Sequence, residues 1–358
     1  MWVPRRRLLL LCASVGIAGT AALTPATAAA DPAAPGNFLT RVLSITPATP
    51  TIHPTVEGGD SFMLLKVDAG TTVEVPGYQD EPFLRFDADG TVYENSVSYT
   101  ASVSDTRYVT ETPTDTSGLE PQWRKVGDGG SYAWHDHRIH WMSPNNPPGR
   151  APGDVILRAD VLLVVDGVDV VVRVESVWMP APSPAATWIG GALGAALAAT
   201  AFALRRTFWA GYLVVDLSTL ALVVGWWQYS SLPGETGPRL TWALLPAIAL
   251  VATAGATVAR RRSGATAVLA AHALILLAGL NLLLWGWDRR DGLSASVLPT
   301  DAPFWLDRAA SAAALVGGAV MTGGALVLLA RVIAEPGTGA LDTAGLDTAG
   351  QGDISSAS

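Results

Sequence analysis

The chain has 358 residues, 49% of them hydrophobic, and a formal net charge of −8. An acidic chain whose Lys/Arg clusters all flank apolar stretches cannot follow a phosphate backbone, so nucleic acid is excluded as a partner. A mean hydropathy of +0.32 is too high for one soluble domain. Cys12, the single cysteine, lies too near the start to leave the rest of the chain a disulfide or a thiolate ligand.

In chain order, MWVPRRR followed by LLLLCASVGIAGTAAL and small-x-small sites ending at Ala28 and Ala30 predicts a secretory signal peptide over residues 1–30. Residues 31–179 then carry short β-rich runs separated by turn residues. PFLRFDADGTVYEN predicts one hairpin, and DVILRADVLLVVDGVDVVVRVESVWM another around Asp166-Gly167. No helical period is present. The expected fold is an extracytoplasmic all-β domain, an antiparallel sandwich of the immunoglobulin or cupredoxin kind.

PAPSPAA, residues 180–186, is a stiff linker by composition. Five apolar stretches follow, at 187–204, 208–227, 240–259, 264–286 and 309–332, and predict an all-α five-helix transmembrane domain with the lipid bilayer as its partner. Arg205 and Arg206, Arg260 to Arg262, and Arg331 mark one side of that domain. The positive-inside tendency assigns this side to the cytoplasm and the β domain to the exterior, as the signal peptide also requires. Arg289 and Arg290 fall on the opposite side, bracketed by Asp288 and Asp291. The tail, 333–358, repeats LDTAG and has too little apolar content to fold, so a disordered cytoplasmic end is expected.

SYAWHDHRIHWMS, residues 131–143, holds three of the chain's five histidines. A strand would put His135 and His137 on one face and Asp136, His140 and Met142 on the other. A bulge or a turn after His137 would bring His140 round. Imidazole suits copper and zinc, so His135, His137 and His140 are candidate ligands, with His53 or Met142 to complete the set. Methionine favours copper. Asp136 is a candidate ligand or a partner that holds an imidazole in one tautomer. The rival readings are a structural or partner-binding patch without metal, and a metal-dependent enzyme. No G-x-S-x-G, phosphate loop or dinucleotide fingerprint supports a catalytic assignment.

GYQDEPFLRFDADGTVYEN and WRKVGDGGSYAWHDHRIHWMSP together resemble a family of exported actinobacterial membrane proteins of unknown function, in which a β domain precedes a few helices. The resemblance covers most of residues 40–180 and brings no activity with it. The overall plan is also similar to copper-resistance systems of the bacterial envelope, whose carriers often use a histidine at the mature N-terminus. Here the expected start, Ala29 or Asp31, offers none.

Two ionisable residues lie inside spans, Asp216 and His272, each the ninth residue of its stretch and so ~13 Å from the same end. Equal depth allows a proton- or ion-handling pair; hydrogen bonding to neighbouring helices is the plainer alternative. The composition as a whole points to a cell-envelope binding or sensing protein, with copper or zinc as the cofactor to test and an envelope protein as the alternative partner.

Overall fold

The computed structural model describes residues 31–104, 106, 107, 115, 116, 118–205 and 209–334. The expected signal peptide and nearly all of the expected tail lie outside these residues.

Ten strands come first: β1 (Phe38–Thr46), β2 (Ile52–Glu57), β3 (Phe62–Val67), β4 (Val73–Pro76), β5 (Pro82–Phe86), β6 (Val92–Asn95), β7 (Trp123–Gly127), β8 (Ser131–His135), β9 (Val155–Val165) and β10 (Val168–Trp178). They pair antiparallel into a seven-stranded sheet, β1-β10-β9-β4-β5-β6-β7, and a three-stranded sheet, β2-β3-β8. The β9–β10 hairpin turns at Asp166 and Gly167 with φ of 48° and 80°. Asp-Gly is favoured in this left-handed turn because Gly carries no Cβ and Asp tolerates positive φ.

Alternation along the strands builds the core. Met63, Leu65 and Val67 of β3 and Trp134 of β8 turn towards Val75, Phe86, Leu163 and Val172 of the large sheet. The opposite face of the small sheet is not left to water. Phe62, opposite His135, and Leu64, opposite Ala133, are both buried there.

Five long helices follow: α1 (Ala185–Ala203), α2 (Trp209–Ser231), α3 (Thr241–Ala259), α4 (Ala265–Asp288) and α5 (Phe304–Ala334). All five are long and apolar enough to cross a membrane, and the chain is a multi-pass membrane protein. The last helix begins five residues before its apolar stretch and takes in Asp307 and Arg308. α1 and α5 pack tightly because Gly190 and Gly194 carry no side chain. A Cβ on either would lie 2.2 Å from the carbonyl oxygen of Ala309 or Ala313. Trp188, Trp226, Trp287 and Trp305 point away from the bundle, as interfacial anchors do.

The β domain is docked on one end of the bundle, hereafter the near end. Gly36 and Val297 exchange two backbone hydrogen bonds of 3.0 and 2.9 Å. The Asn37 side-chain oxygen accepts from the Ser296 N–H and hydroxyl, and the Ala33 N–H donates to the Thr236 carbonyl. β8 lies against the Gly234–Thr236 turn. These contacts come from loops between helices, which no period in the sequence announces.

Candidate metal centre

β8 ends at His135, one residue before the turn that gathers the site. The Asp136 carboxylate accepts the Arg138 N–H at 2.9 Å, and its carbonyl accepts the Ile139 N–H at 3.2 Å. This is an Asx-type turn, the local geometry Asp favours. Ile139, wholly buried, drops into the core and fixes the far side of the turn. Its carbonyl accepts the Thr40 hydroxyl at 2.8 Å. The chain therefore leaves strand geometry at Asp136, earlier than a turn after His137 would have placed it. The three imidazoles end up together.

Their ring nitrogens lie within 4.8 Å of one another. His135 and His140 stack with centroids 4.8 Å apart and planes 11° apart, and His137 stands edge-on to both. His135 and His140 are buried and His137 is half-buried at the rim. The hydrogen bonds fix two tautomers, since a carbonyl can only accept. His137 donates from Nε2 to the Thr106 carbonyl at 2.7 Å, leaving the Nδ1 lone pair available. His140 donates from Nδ1 to the Trp141 carbonyl at 3.1 Å, leaving Nε2. Among the described residues that nitrogen has no partner, and neither ring nitrogen of His135 has one. Ligating histidines are usually held in this way, one ring N–H on a backbone carbonyl and the other nitrogen turned to the ion.

Burial is the main reason these imidazoles resist protonation. It pushes His135 down to about 3, helped by His140, His137 and Arg107. His140 falls to about 4 through burial and the Arg107 charge. His137 is lowered less, because its bond to Thr106 and the nearby Asp136 oppose burial. All three are neutral at physiological pH, the state in which imidazole binds metal.

The residues around the trio hold it and do not join it. The Asp136 carboxylate is fully buried and accepts from Trp134 Nε1 at 2.9 Å and from Arg138 Nε and Nη2 at 2.9 and 2.7 Å. Burial raises its pKa, but the Arg138 charge and these bonds outweigh burial and hold it below the usual carboxylate range. Its role is to shape the turn. Met142, two residues beyond His140, is 38% exposed. His53 sits on β2 opposite Lys66, four residues along β3 from Phe62, the residue opposite His135. That is ~13 Å of strand, and His53 instead faces Asp68 at 3.2 Å.

Sequence reasoning overlooked the supports. The Tyr78 hydroxyl accepts the His137 N–H at 2.9 Å, and its ring stacks on the His137 ring with centroids 5.7 Å apart. Tyr78 is positioned by Thr100, whose hydroxyl accepts the Tyr78 N–H at 2.7 Å and donates to Glu81 at 2.8 Å. Glu81, buried, also accepts from Ser98, the Thr100 N–H and the Gln79 N–H. Arg107 reaches Ser61 and Asp60, each at 2.6 Å. Nothing in the spacing of GYQDE, at 77–81, ties Tyr78 to a histidine some sixty positions on.

In the helices, Asp216 lies on an exposed face of α2 and His272 is half-buried in α4. Among the described residues no hydrogen bond or ion pair joins them. The charges acting on His272 are those of Arg260 and Arg205. The better-connected intramembrane cluster is elsewhere. Arg289 at the end of α4 pairs with Asp307 and also donates to Gln228 and Ser311, all four buried.

Chemically, three neutral imidazoles without thiolate or carboxylate suit zinc or copper. A tetrahedral zinc with Zn–N of ~2.0–2.1 Å would need nitrogens roughly 3.4 Å apart, so His135, His137 and His140 would have to close in to hold one. Comparison with protein families, with curated proteins and with solved structures found no match to this chain.

Proposed function

We propose that this membrane protein binds a transition-metal ion, zinc or copper, through His135, His137 and His140, and serves as a binding or sensing protein of the cell envelope with its β domain outside the plasma membrane. The supporting observation is the set of buried ring nitrogens without partners on His135 and His140, converging with His137. Buried polar atoms are nearly always satisfied, and an unsatisfied group points to an ion or a function. Three protein ligands are one short of a closed structural zinc site, so a bound ion keeps one exchangeable position. The three imidazoles by themselves suit zinc and copper alike, and only a thioether from Met142 would favour copper. The exterior placement rests on the arginines at the end of the bundle far from the β domain.

The test is calorimetric titration of zinc and copper into the full-length protein in detergent, beside His135→Ala/His137→Ala. Saturable one-to-one binding that raises Tm and vanishes in the variant is expected. Lack of binding by the wild type, or unchanged affinity in the variant, rejects the assignment in favour of a metal-free interaction patch.

A further inference from the structure

We infer a second binding site, at the opposite end of the molecule, for one anionic phospholipid: its phosphate between Arg205 and Arg331, an acyl chain in the groove between α1 and α5. The inference is independent of the metal assignment.

α1 and α5 run side by side in the same direction, away from the β domain. Gly190 meets Ala309 and Gly194 meets Ala313 near its docking site, and Phe202 meets Gly324 further on. Beyond that last contact the helices leave an open groove of about 300 Å³ between Phe202, Arg205, Gly323, Gly324, Val327 and Arg331. The groove is shaped by two glycines in different ways. A Cβ on Gly324 would lie 2.5 Å from the Phe202 ring, so this glycine lets the ring lie flat as a wall. A Cβ on Gly323 would meet nothing within 4 Å, so this glycine leaves room.

The mouth of the groove is cationic. Arg205 and Arg331 line it, and Arg260 ends helix α3. Among the described residues no carboxylate pairs with Arg205, Arg260 or Arg331. The near end differs, since its arginines have acids beside them: Arg239 with Asp288, Arg289 with Asp307, Arg290 with Asp291. Arginines that merely set topology need no cavity beside them. Here guanidinium groups with no carboxylate partner among the described residues border an apolar slot at the far end of the spans. That matches a phosphodiester with a hydrocarbon tail, and a basic pocket between spanning helices is a recurrent way to hold such a headgroup.

The test is native mass spectrometry of the full-length protein from detergent, titrated with phosphatidylglycerol or phosphatidylcholine, with Tm read in parallel. One phosphatidylglycerol should be retained about thirtyfold more tightly than phosphatidylcholine, the effect of two arginines at a lipid surface. Arg205→Gln/Arg331→Gln should abolish that preference. Gly323→Leu should fill the slot and weaken retention of phosphatidylglycerol without lowering Tm in lipid-free detergent. Equal retention of the two lipids, or an unchanged preference in the arginine variant, overturns the inference. So does protection by inorganic phosphate as strong as by the lipid. If the arginine variant does not fold, Gly323→Leu decides, and undiminished retention in it overturns the site.

Discussion

Two clusters of buried polar side chains lie in the two halves of this molecule, and they are completed differently. At the near end of the bundle, Arg289 donates to Asp307, Gln228 and Ser311, so charge meets charge and donors meet acceptors. In the β domain, His135 has a ring with no partner on either nitrogen, and His140 is satisfied on one side only. Both clusters cost desolvation. The first recovers it within the protein, which marks a structural element. The second has no such recovery among the described residues, which is the observation behind the proposed metal site.

The largest effect that would break this contrast is in the closed cluster. Asp307→Ala leaves Arg289 buried without its counter-charge. Loss of one partner from a buried pair costs about 3–5 kcal/mol, so a large fall in Tm or failure to purify intact is expected. Metal affinity of whatever folds should be unchanged. A variant with normal Tm would show that the Arg289 cluster is not structural.

The second effect belongs to the open cluster and has the opposite signature. His135→Ala should weaken zinc or copper binding more than a hundredfold, about 2.7 kcal/mol, by calorimetry. The metal-free protein should lose only the packing of a buried ring stacked on His140, because among the described residues that ring makes no hydrogen bond. If Tm falls sharply while affinity holds, His135 is a packing residue and the contrast between the clusters collapses.

Acid sharpens the same point. His135 and His140 have folded-state values of about 3 and about 4, against an ordinary value of 6.5 in the unfolded chain. Below 6.5 the unfolded chain binds protons that the folded domain refuses, so stability falls as pH falls. The loss begins near pH 6.5 and accumulates down to the folded values, at about 1.4 kcal/mol per pH unit for each such histidine. Denaturant unfolding of the metal-free protein between pH 7 and 4.5 should show that slope. His135→Ala should roughly halve it, leaving the His140 share, and an equal slope in the variant would locate the titration elsewhere.

The legibility of these features in the sequence follows the range of the interactions. The β domain and the five spans could be read because their signals are local: Asp-Gly between valine-rich strands, and apolar runs long enough to cross a bilayer. Three histidines within six positions could be read as a candidate site for the same reason. Their convergence required a turn, and Asp136 supplied it with a side-chain bond two residues long. Asp136 looked like a ligand because a carboxylate between histidines has two uses, and only the position of Arg138 in space decides between them. Tyr78, Arg107 and Glu81 were illegible as supports, since strand pairing and loop packing deliver them from distant sequence. Arg289 was read only as an exception to the charge rule, and nothing in the sequence pointed to Asp307. Their partnership depends on α5 starting at Phe304 and on how α4 packs against it.

A smaller effect probes the support layer. Tyr78→Phe removes the hydroxyl that accepts the His137 N–H and leaves the stacked ring in place. Groups that orient ligands are typically worth 10–100-fold in metal affinity, and the backbone-directed bond here places the expectation near the lower figure, about tenfold. A full loss of binding would mean that the hydroxyl itself ligates.

The smallest effect tests where the site ends. His53→Ala and Met142→Ala change the two residues that ligand chemistry alone would have recruited. His53 faces Asp68 across an exposed hydrogen bond of 3.2 Å, a contact worth about 0–1 kcal/mol. Met142 is 38% exposed beyond the turn. Neither change should move metal affinity by more than about twofold, near the 0.4 kcal/mol level at which calorimetry stops distinguishing variants. A larger loss in Met142→Ala would mean that the segment after His140 folds back over the ion on binding, adding a thioether to three imidazoles. That ligand set is softer, so the choice between zinc and copper would then fall to copper.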